Sequence, residues 1–404
     1  MDFFWIFLRV LCWVSLAGVV HTYLLYPLIL RSLACGKPPH ELVYKSEEKQ
    51  LFPRVSILMS AYNEERVLPE KLLSLEQLDY PVEKISLYAG SDHSSDQTGQ
   101  ILEAFAAKHS WAVFVPFSER QGKPAIINQL AARALQDHGK GQGHLLLITD
   151  ANIILSPKAL FHLTRHFRDP QIGVADSHIL PYGVKEEGIS KAEQRYLSTE
   201  VLLKHWEGIL WGAMIGPFGG CYAVRSDFFN PAPSTFLVDD FYITMKALEA
   251  GGKALNDLEA VCYEGATHDV EVEFRRKKRI GAGNFQNMKV FQKLWWPPFT
   301  GLRFAFFSHK ILRWITPHLI LTGTLCVALL ALSGNQMYQI LLVLLGVCMF
   351  LLPLLDVLLV RMGIQLLILR GIRYFWMMNL ALFSGWINYL KGIHTNVWQP
   401  TQRS

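Results

Sequence analysis

The sequence predicts an α/β domain with a mostly parallel sheet, set between apolar ends that form one N-terminal and two to three C-terminal transmembrane helices. Three observations carry this. Short apolar strand-like runs alternate with helical patterns through the middle of the chain. The whole is 51% hydrophobic and only 18% charged, less charge than soluble domains usually carry. The deficit is concentrated at the ends: Leu11 to Leu30 contains no Asp, Glu, Lys or Arg, and Thr316 to Val360 contains only Asp356.

Arg54 to Ser60 reads as the first strand, entered from Pro53. Ile85 to Ala89, Trp111 to Val115 and Leu145 to Thr149 repeat its character. Helical patterns lie between them, at Glu64 to Gln77, Asp96 to Lys108 and Lys123 to Leu135. Strands alternating with helices of this length imply βαβ units. In such sheets the active residues belong just past the C-terminal ends of the strands. The expected organisation is an anchor over 1–36, an α/β domain over 37–284, an interfacial segment over 285–310 and a membrane region over 311–404.

Leu11 to Leu30 has about the ~20 residues a helix needs to cross the hydrocarbon layer. A signal peptide would have a shorter apolar core, a basic lead and a cleavage site. This run is long and ends in Arg31 and Lys37, so it is read as a retained anchor. Ile311 to Leu332 and Tyr338 to Val360 are joined by a four-residue turn and form a helical hairpin. Tyr374 to Leu390 is a further span or an interfacial helix. Phe285 to Ser308 mixes Trp295, Trp296, Phe299 and Phe304 with Lys293 and Arg303, which suits the headgroup layer. Basic residues flank the inner ends of the spans and none lies in the Ser333 turn. The positive-inside rule then places the α/β domain in the cytoplasm.

The net charge of +5 is modest and not gathered into a stripe, so no nucleic-acid partner is expected. No Gly-x-Gly-x-x-Gly follows the first strand, and no Gly-Lys-Ser/Thr loop occurs. This argues against a dinucleotide oxidoreductase or an ATPase. The 6 cysteines show no metal-ligand spacing and are read as reduced.

Polar clusters sit at three strand ends: Ala61-Tyr62-Asn63-Glu64-Glu65, then Gly90 to Asp96, then Asp150-Ala151-Asn152. Helix capping by Asn63 or Ser95 explains one such cluster; three on one sheet edge describe a polar site. Asp92 suits a ribose. Asp150 suits a divalent metal, with Asn152 assisting through its amide oxygen. Hard oxygen ligands favour Mg or Mn. Lys123, after Gly122 at a helix start, is either a surface lysine or a donor contact. Gly219 and Gly220 either form an ordinary turn or let backbone approach a ligand closely. Asp239 and Asp240 open a helical run. One reading makes Asp239 a cap; the other makes one of the pair a general base, helped by mutual repulsion. The run Arg275 to Arg279 is the densest charge in the chain, fit for anionic headgroups or a diphosphate.

The order of these pieces resembles the family 2 inverting glycosyltransferases with a GT-A-like nucleotide-diphospho-sugar transferase fold, over about Pro53 to Gln286. Ser60 to Glu64 matches the family's entry motif beside the nucleotide. Ser91 to Thr98 resembles its Asp-Gly-Ser loop, with His93 where glycine is usual. Gly122-Lys123 resembles the donor-supporting segment. Thr149 to Asn152 stands at the metal-binding Asp-x-Asp, with Asn152 in the second place. The resemblance makes Asp240 the catalytic base beside Asp239. It sets Arg276 and Arg279 at the Gln-x-x-Arg-Trp motif of processive synthases, whose glutamine and tryptophan are missing here. The membrane arrangement resembles the cellulose and hyaluronan synthase-like branch. The resemblance implies transfer of a sugar from a nucleotide donor, UDP-linked before GDP-linked, to a lipid-linked or glycan acceptor at a bacterial cell membrane. A processive synthase that extends and translocates a polymer is the alternative, and a homodimer would enlarge its channel.

Overall fold

The computed structural model describes residues 2–38, 40–141, 143–182, 190–265, 270–393 and 396. In chain order it opens with α1 (Asp2–Val20) and α2 (Tyr26–Ala34). The α/β part comes next: β1 (Arg54–Ala61), α3 (Leu68–Glu76), β2 (Ile85–Asp92), α4 (Thr98–Lys108), β3 (Ala112–Phe117), α5 (Lys123–His138), β4 (His144–Asp150) and β5 (Ile153–Leu155). It continues with α6 (Ala159–Arg165), β6 (Ile172–Tyr182), α7 (Ser190–Trp211), β7 (Cys221–Arg225), α8 (Asp239–Glu249) and β8 (Lys253–Gly265). The last part is helical: α9 (Val270–Val290), α10 (Gly301–Ala305), α11 (Leu312–Trp314), α12 (Thr316–Leu332), α13 (Gln336–Gly346), α14 (Leu352–Arg361) and α15 (Leu367–Leu390).

The strands make one sheet in the order β3-β2-β1-β4-β7-β6-β8-β5. The first four are parallel neighbours, as the βαβ pattern requires. The second half is mixed: β7 runs antiparallel to β4 and β6, β5 antiparallel to β8, and β6 parallel to β8. Antiparallel β7 brings its start, next to Gly219 and Gly220, alongside the end of β4 through the Thr149–Cys221 pairing. β1, β2 and β4 are buried along almost their whole length, as strands covered on both faces must be. Their apolar residues, with Leu68, Leu72 and Leu75 of α3 and Leu160 and Leu163 of α6, form the domain's main core.

The chain divides into two compact units. One comprises Ala34–Val184, Glu200–Thr267 and Ile393–Ser404; the other Met1–Leu33, Lys185–Thr199 and His268–Gly392. α9 is grouped with the apolar helices in the second of these units. Phe3–Ala34 and Gln336–Arg361 are long and apolar enough to cross a membrane. The expected span from Ile311 is instead bent: Gly301–Trp314 meets Thr316–Leu332 at 62°, where Pro317 lies in the first turn of α12 and removes a backbone donor. α15 is longer than the expected 374–390 helix and packs on α9, where Gly281 approaches Leu382 and a Cβ on Gly385 would lie 2.6 Å from the Lys278 carbonyl. Small residues allow such close helix approach. Arg373 pairs with buried Asp356 at 3.1 Å, so that carboxylate is charge-compensated inside the helical unit.

Candidate active site

The three polar clusters do converge at the C-terminal edge of the parallel strands. β1 and β2 end in register, Ala61 beside Ser91, and β1 and β4 likewise, Ser60 beside Asp150. Ala61 is buried and packs in the core. The helix expected from Glu64 begins at Leu68, and neither Asn63 nor Ser95 caps a helix. The residues between are pinned crosswise to the β2 loop. Asn63 N–H donates to Ser94 Oγ at 3.2 Å, and Asn63 Oδ1 accepts from Ser95 N–H at 2.9 Å. Glu64 N–H donates to Thr98 Oγ1 at 2.8 Å and Glu65 N–H to Asp96 Oδ2 at 3.2 Å. Asn63 and His93 both take left-handed backbone, with φ 54° and 55°. His93 therefore adopts the conformation that glycine would supply at its place in the motif.

Asp92, 3% exposed, spans the gap to the next loop. Its Oδ1 accepts from Gln121 N–H at 2.7 Å and its Oδ2 from Gly122 N–H at 2.9 Å. It therefore shapes the loop that delivers Lys123, and each oxygen keeps one lone pair for a ligand. Beside it, the Arg120 guanidinium lies 3.5 Å above the Tyr62 ring. Sequence reading missed Arg120; the signal was a cation two residues before the Gly122-Lys123 pair. Asn396 was missed too. It donates to the Phe236 carbonyl, and its own carbonyl lies against Gly122.

Lys123, the first residue of α5, is no free surface lysine. Its Nζ stands 2.6 Å from Asp150 Oδ1. Burial alone would lower the ammonium's pKa, but Asp150, Asp239 and Asp240 together raise it above the ordinary lysine value. Asp150 N–H in turn donates to the Gly220 carbonyl at 2.9 Å, tying the end of β4 to the two glycines. Gly219 and Gly220 have different reasons to lack a side chain. A Cβ on Gly220 would meet Ile179 and Ile153 within 3 Å, a packing demand. Gly219 has φ 89°, and a Cβ there would lie 2.1 Å from Asp240 Oδ2.

Asp239 and Asp240 occupy the first turn of α8, whose N-cap is Val238, so Asp239 is not the cap. Burial and the neighbouring Asp239 push the Asp240 carboxyl up to about 7, against the pull of Lys123. The buried Oδ2 of Asp239 and the hydroxyl of Tyr222 meet no hydrogen-bond partner among the described residues. The unpartnered Oδ2 of Asp239 and the carboxylate of Asp150 are hard oxygens of the kind a divalent cation takes. Asn152 uses its amide nitrogen on Glu264 Oε1 at 3.2 Å, which leaves its oxygen outside that bond. Arg276 and Arg279 lie on α9, in the other unit, where Arg276 pairs with Glu273 at 3.6 Å.

Residues 56–223 match the family model described as Glycosyl transferase family 2. The beta-monoglucosyldiacylglycerol synthase of Trichormus variabilis is 25% identical over 179 residues, 44% of this chain and 36% of that one. The poly-beta-1,6-N-acetyl-D-glucosamine synthase of Staphylococcus epidermidis is 27% identical over 138 residues, 34% of this chain and 31% of that one. The match thus spans about a third of the length of these relatives. Among solved structures, the mannosyltransferase PcManGT from Pyrobaculum calidifontis, in complex with GDP-Man and Mn2+, superposes with a TM-score of 0.71 at 19% identity. That match covers 95% of this chain and 99% of that one. Residues 56–223 therefore match a glycosyl transferase family 2 domain, and the chain has a GT-A-like fold.

Proposed function

We propose that the protein is an inverting glycosyltransferase that moves a sugar from a nucleoside diphosphate donor to a lipid-linked or glycan acceptor at a membrane. The observation that carries the reading is the Asp240 carboxylate. It is raised to about 7, stands against a glycine that leaves its oxygen uncovered, and shares its surroundings with the Lys123–Asp150 pair. A base with that pKa is half ionised near neutrality, the range in which proton abstraction from a hydroxyl works best.

In this mechanism Asp240 takes the proton of the acceptor hydroxyl as that oxygen attacks the anomeric carbon. The bond from that carbon to the diphosphate breaks on the opposite face, which inverts the configuration. Tyr62 and Arg120 offer a stacked pair for the nucleoside, and Asp92 faces its ribose with the lone pairs left over. Lys123 supplies fixed positive charge where the diphosphate departs. Asp150, with Asp239 and the oxygen of Asn152, would hold a divalent cation, Mg or Mn, which when bound neutralises the charge of the leaving group. Arg276 and Arg279 are proposed as further contacts to the donor or to lipid phosphate.

The two apolar helices support a membrane setting, with the α/β domain on the cytoplasmic side by the charge rule. The relatives' names point to lipid and polysaccharide products, and the mannosyltransferase neighbour to a GDP-linked donor beside the UDP-linked ones expected from the resemblance. Thermal stabilisation across a panel of UDP- and GDP-sugars, with and without Mn2+ or Mg2+, tests donor and metal together. If no nucleotide sugar raised the melting temperature with any cation, the reading would fail.

A further inference from the structure

Beneath the Asp150 turn lies a lysine that the mechanism does not use. Lys71, on α3, is fully buried. Its ammonium donates to Thr149 Oγ1 at 2.8 Å and to the Ile153 carbonyl at 2.6 Å. These acceptors sit immediately before and immediately after Asp150-Ala151-Asn152. Lys71 therefore clamps both ends of the segment that joins β4 to β5. Among the described residues no carboxylate pairs with it; its two acceptors are neutral. Burying an ammonium without a counter-ion is unfavourable, and burial draws its pKa down to about 8, with Cys221, Cys262 and Asp150 acting in the opposite sense. A methionine would fill the same space without that cost. What a methionine cannot do is hold the two flanks of the turn at a fixed spacing.

Local chain chemistry does not hold the turn by itself. Ala151 is buried in the core and offers no polar side chain. Outside the turn, the Asp150 N–H bond to Gly220 fixes one peptide, and the Asn152 amide bond to Glu264 fixes one side chain. The β ladders hold Thr149 to Met59 and Cys221, and Ile153 to Glu264; the Lys71 ammonium is the group that ties Thr149 and Ile153 directly to one another.

We propose that Lys71 is a positioning residue that presets Asp150 and Asn152 for a divalent cation bound with the donor's diphosphate. This rests on the reading of Asp150 as the residue that faces that diphosphate. Lys71 touches neither substrate nor cation; it acts through Thr149 and Ile153. Its loss should therefore weaken cation binding while leaving the base, Asp240, and the rest of the site intact.

The test measures Mn2+ binding without turnover, by electron paramagnetic resonance titration of the full chain in detergent, with UDP and separately with GDP. Lys71→Met should weaken Mn2+ binding by at least about tenfold, a typical effect of removing an outer-shell partner. Raising Mn2+ should then restore kcat to near the parent value, a rescue that a collapsed fold would not show. Thr149→Val should weaken binding by a smaller factor, and Thr149→Ser should bind like the parent. A folded Lys71→Met protein with parent-like Mn2+ affinity overturns the inference. Should Lys71→Met fail to fold, parent-like affinity in Thr149→Val overturns it instead. A parent that binds no Mn2+ with either nucleotide overturns the reading of the site, and the inference with it. Turnover and Mn2+ binding in the parent, with no change in either variant, sinks this inference alone.

Discussion

Gly219 lies so close to Asp240 that its hydrogen occupies the space where any other residue would place a carbon, 2.1 Å from Oδ2. Two segments distant in sequence, the entry to β7 and the first turn of α8, therefore meet with no side chain between them. Gly219→Ala should displace the carboxylate as well as strain a backbone at φ 89°. The left-handed conformation alone costs about 1–2 kcal/mol for a residue with a Cβ. We expect turnover to fall by roughly 100-fold or more, the scale of losing a general base, with a lowered melting temperature. Parent-like kcat in Gly219→Ala would refute the contact's importance.

Asp240→Asn should lower kcat on the order of 100-fold or more, since the amide cannot accept the acceptor's proton. Donor binding, measured by calorimetry with a nucleoside diphosphate and Mn2+, should stay within a few-fold of the parent.

The pH dependence comes from the same group. Asp240 must be ionised to act, and its pKa is about 7, so kcat/KM should fall as pH drops below neutrality. Lys123 pulls that pKa down. Lys123→Met should therefore move the acid limb to higher pH, besides weakening donor binding. A limb that stayed in place would show that Asp240 is not the group that titrates.

Stability should respond in the opposite sense to activity. The Asp240 pKa is 3.8 ordinarily and about 7 in the fold, so between these values the folded chain binds more protons than the unfolded one. Its contribution to stability is full below about 3.8 and is lost as pH rises through 7. Asp240→Asn should raise the melting temperature of the ligand-free protein more at pH 8 than at pH 5. Equal gains at both would contradict the raised pKa.

Chelation tests the carboxylate cluster. Transfer should vanish in excess EDTA and return with Mn2+ or Mg2+, because the leaving diphosphate needs the cation's charge. Full activity in EDTA would show that Lys123 and neighbouring cations suffice.

Much of the site could be read from residues next to strand ends. Asp92, Asp150 and Lys123 sit where alternation of strands and helices placed them, because local periodicity determines where a strand stops. Long-range partners could not be read that way. Local sequence suggests that Asn63 caps its own helix, since capping is a local event, whereas its actual partners lie some thirty residues on. The antiparallel insertion of β7 between β4 and β6 likewise leaves no local mark, yet it brings Gly219 to the edge that holds Asp150. Arg120 stands two residues before the Gly122-Lys123 pair, but its stacking on Tyr62, far off in sequence, leaves no local mark. The bend before α12 was foreshadowed by Pro317, but an apolar composition alone reads as a straight span.

The crosswise hydrogen bonds between the β1 and β2 loops carry a dynamic consequence. Each loop supplies backbone donors to the other's side chains, so neither can swing aside without breaking several bonds together. That wall of the cleft is a rigid jamb. The two loops should therefore open together, so that the amides of Asn63, Glu64 and Ser95 exchange with matching protection.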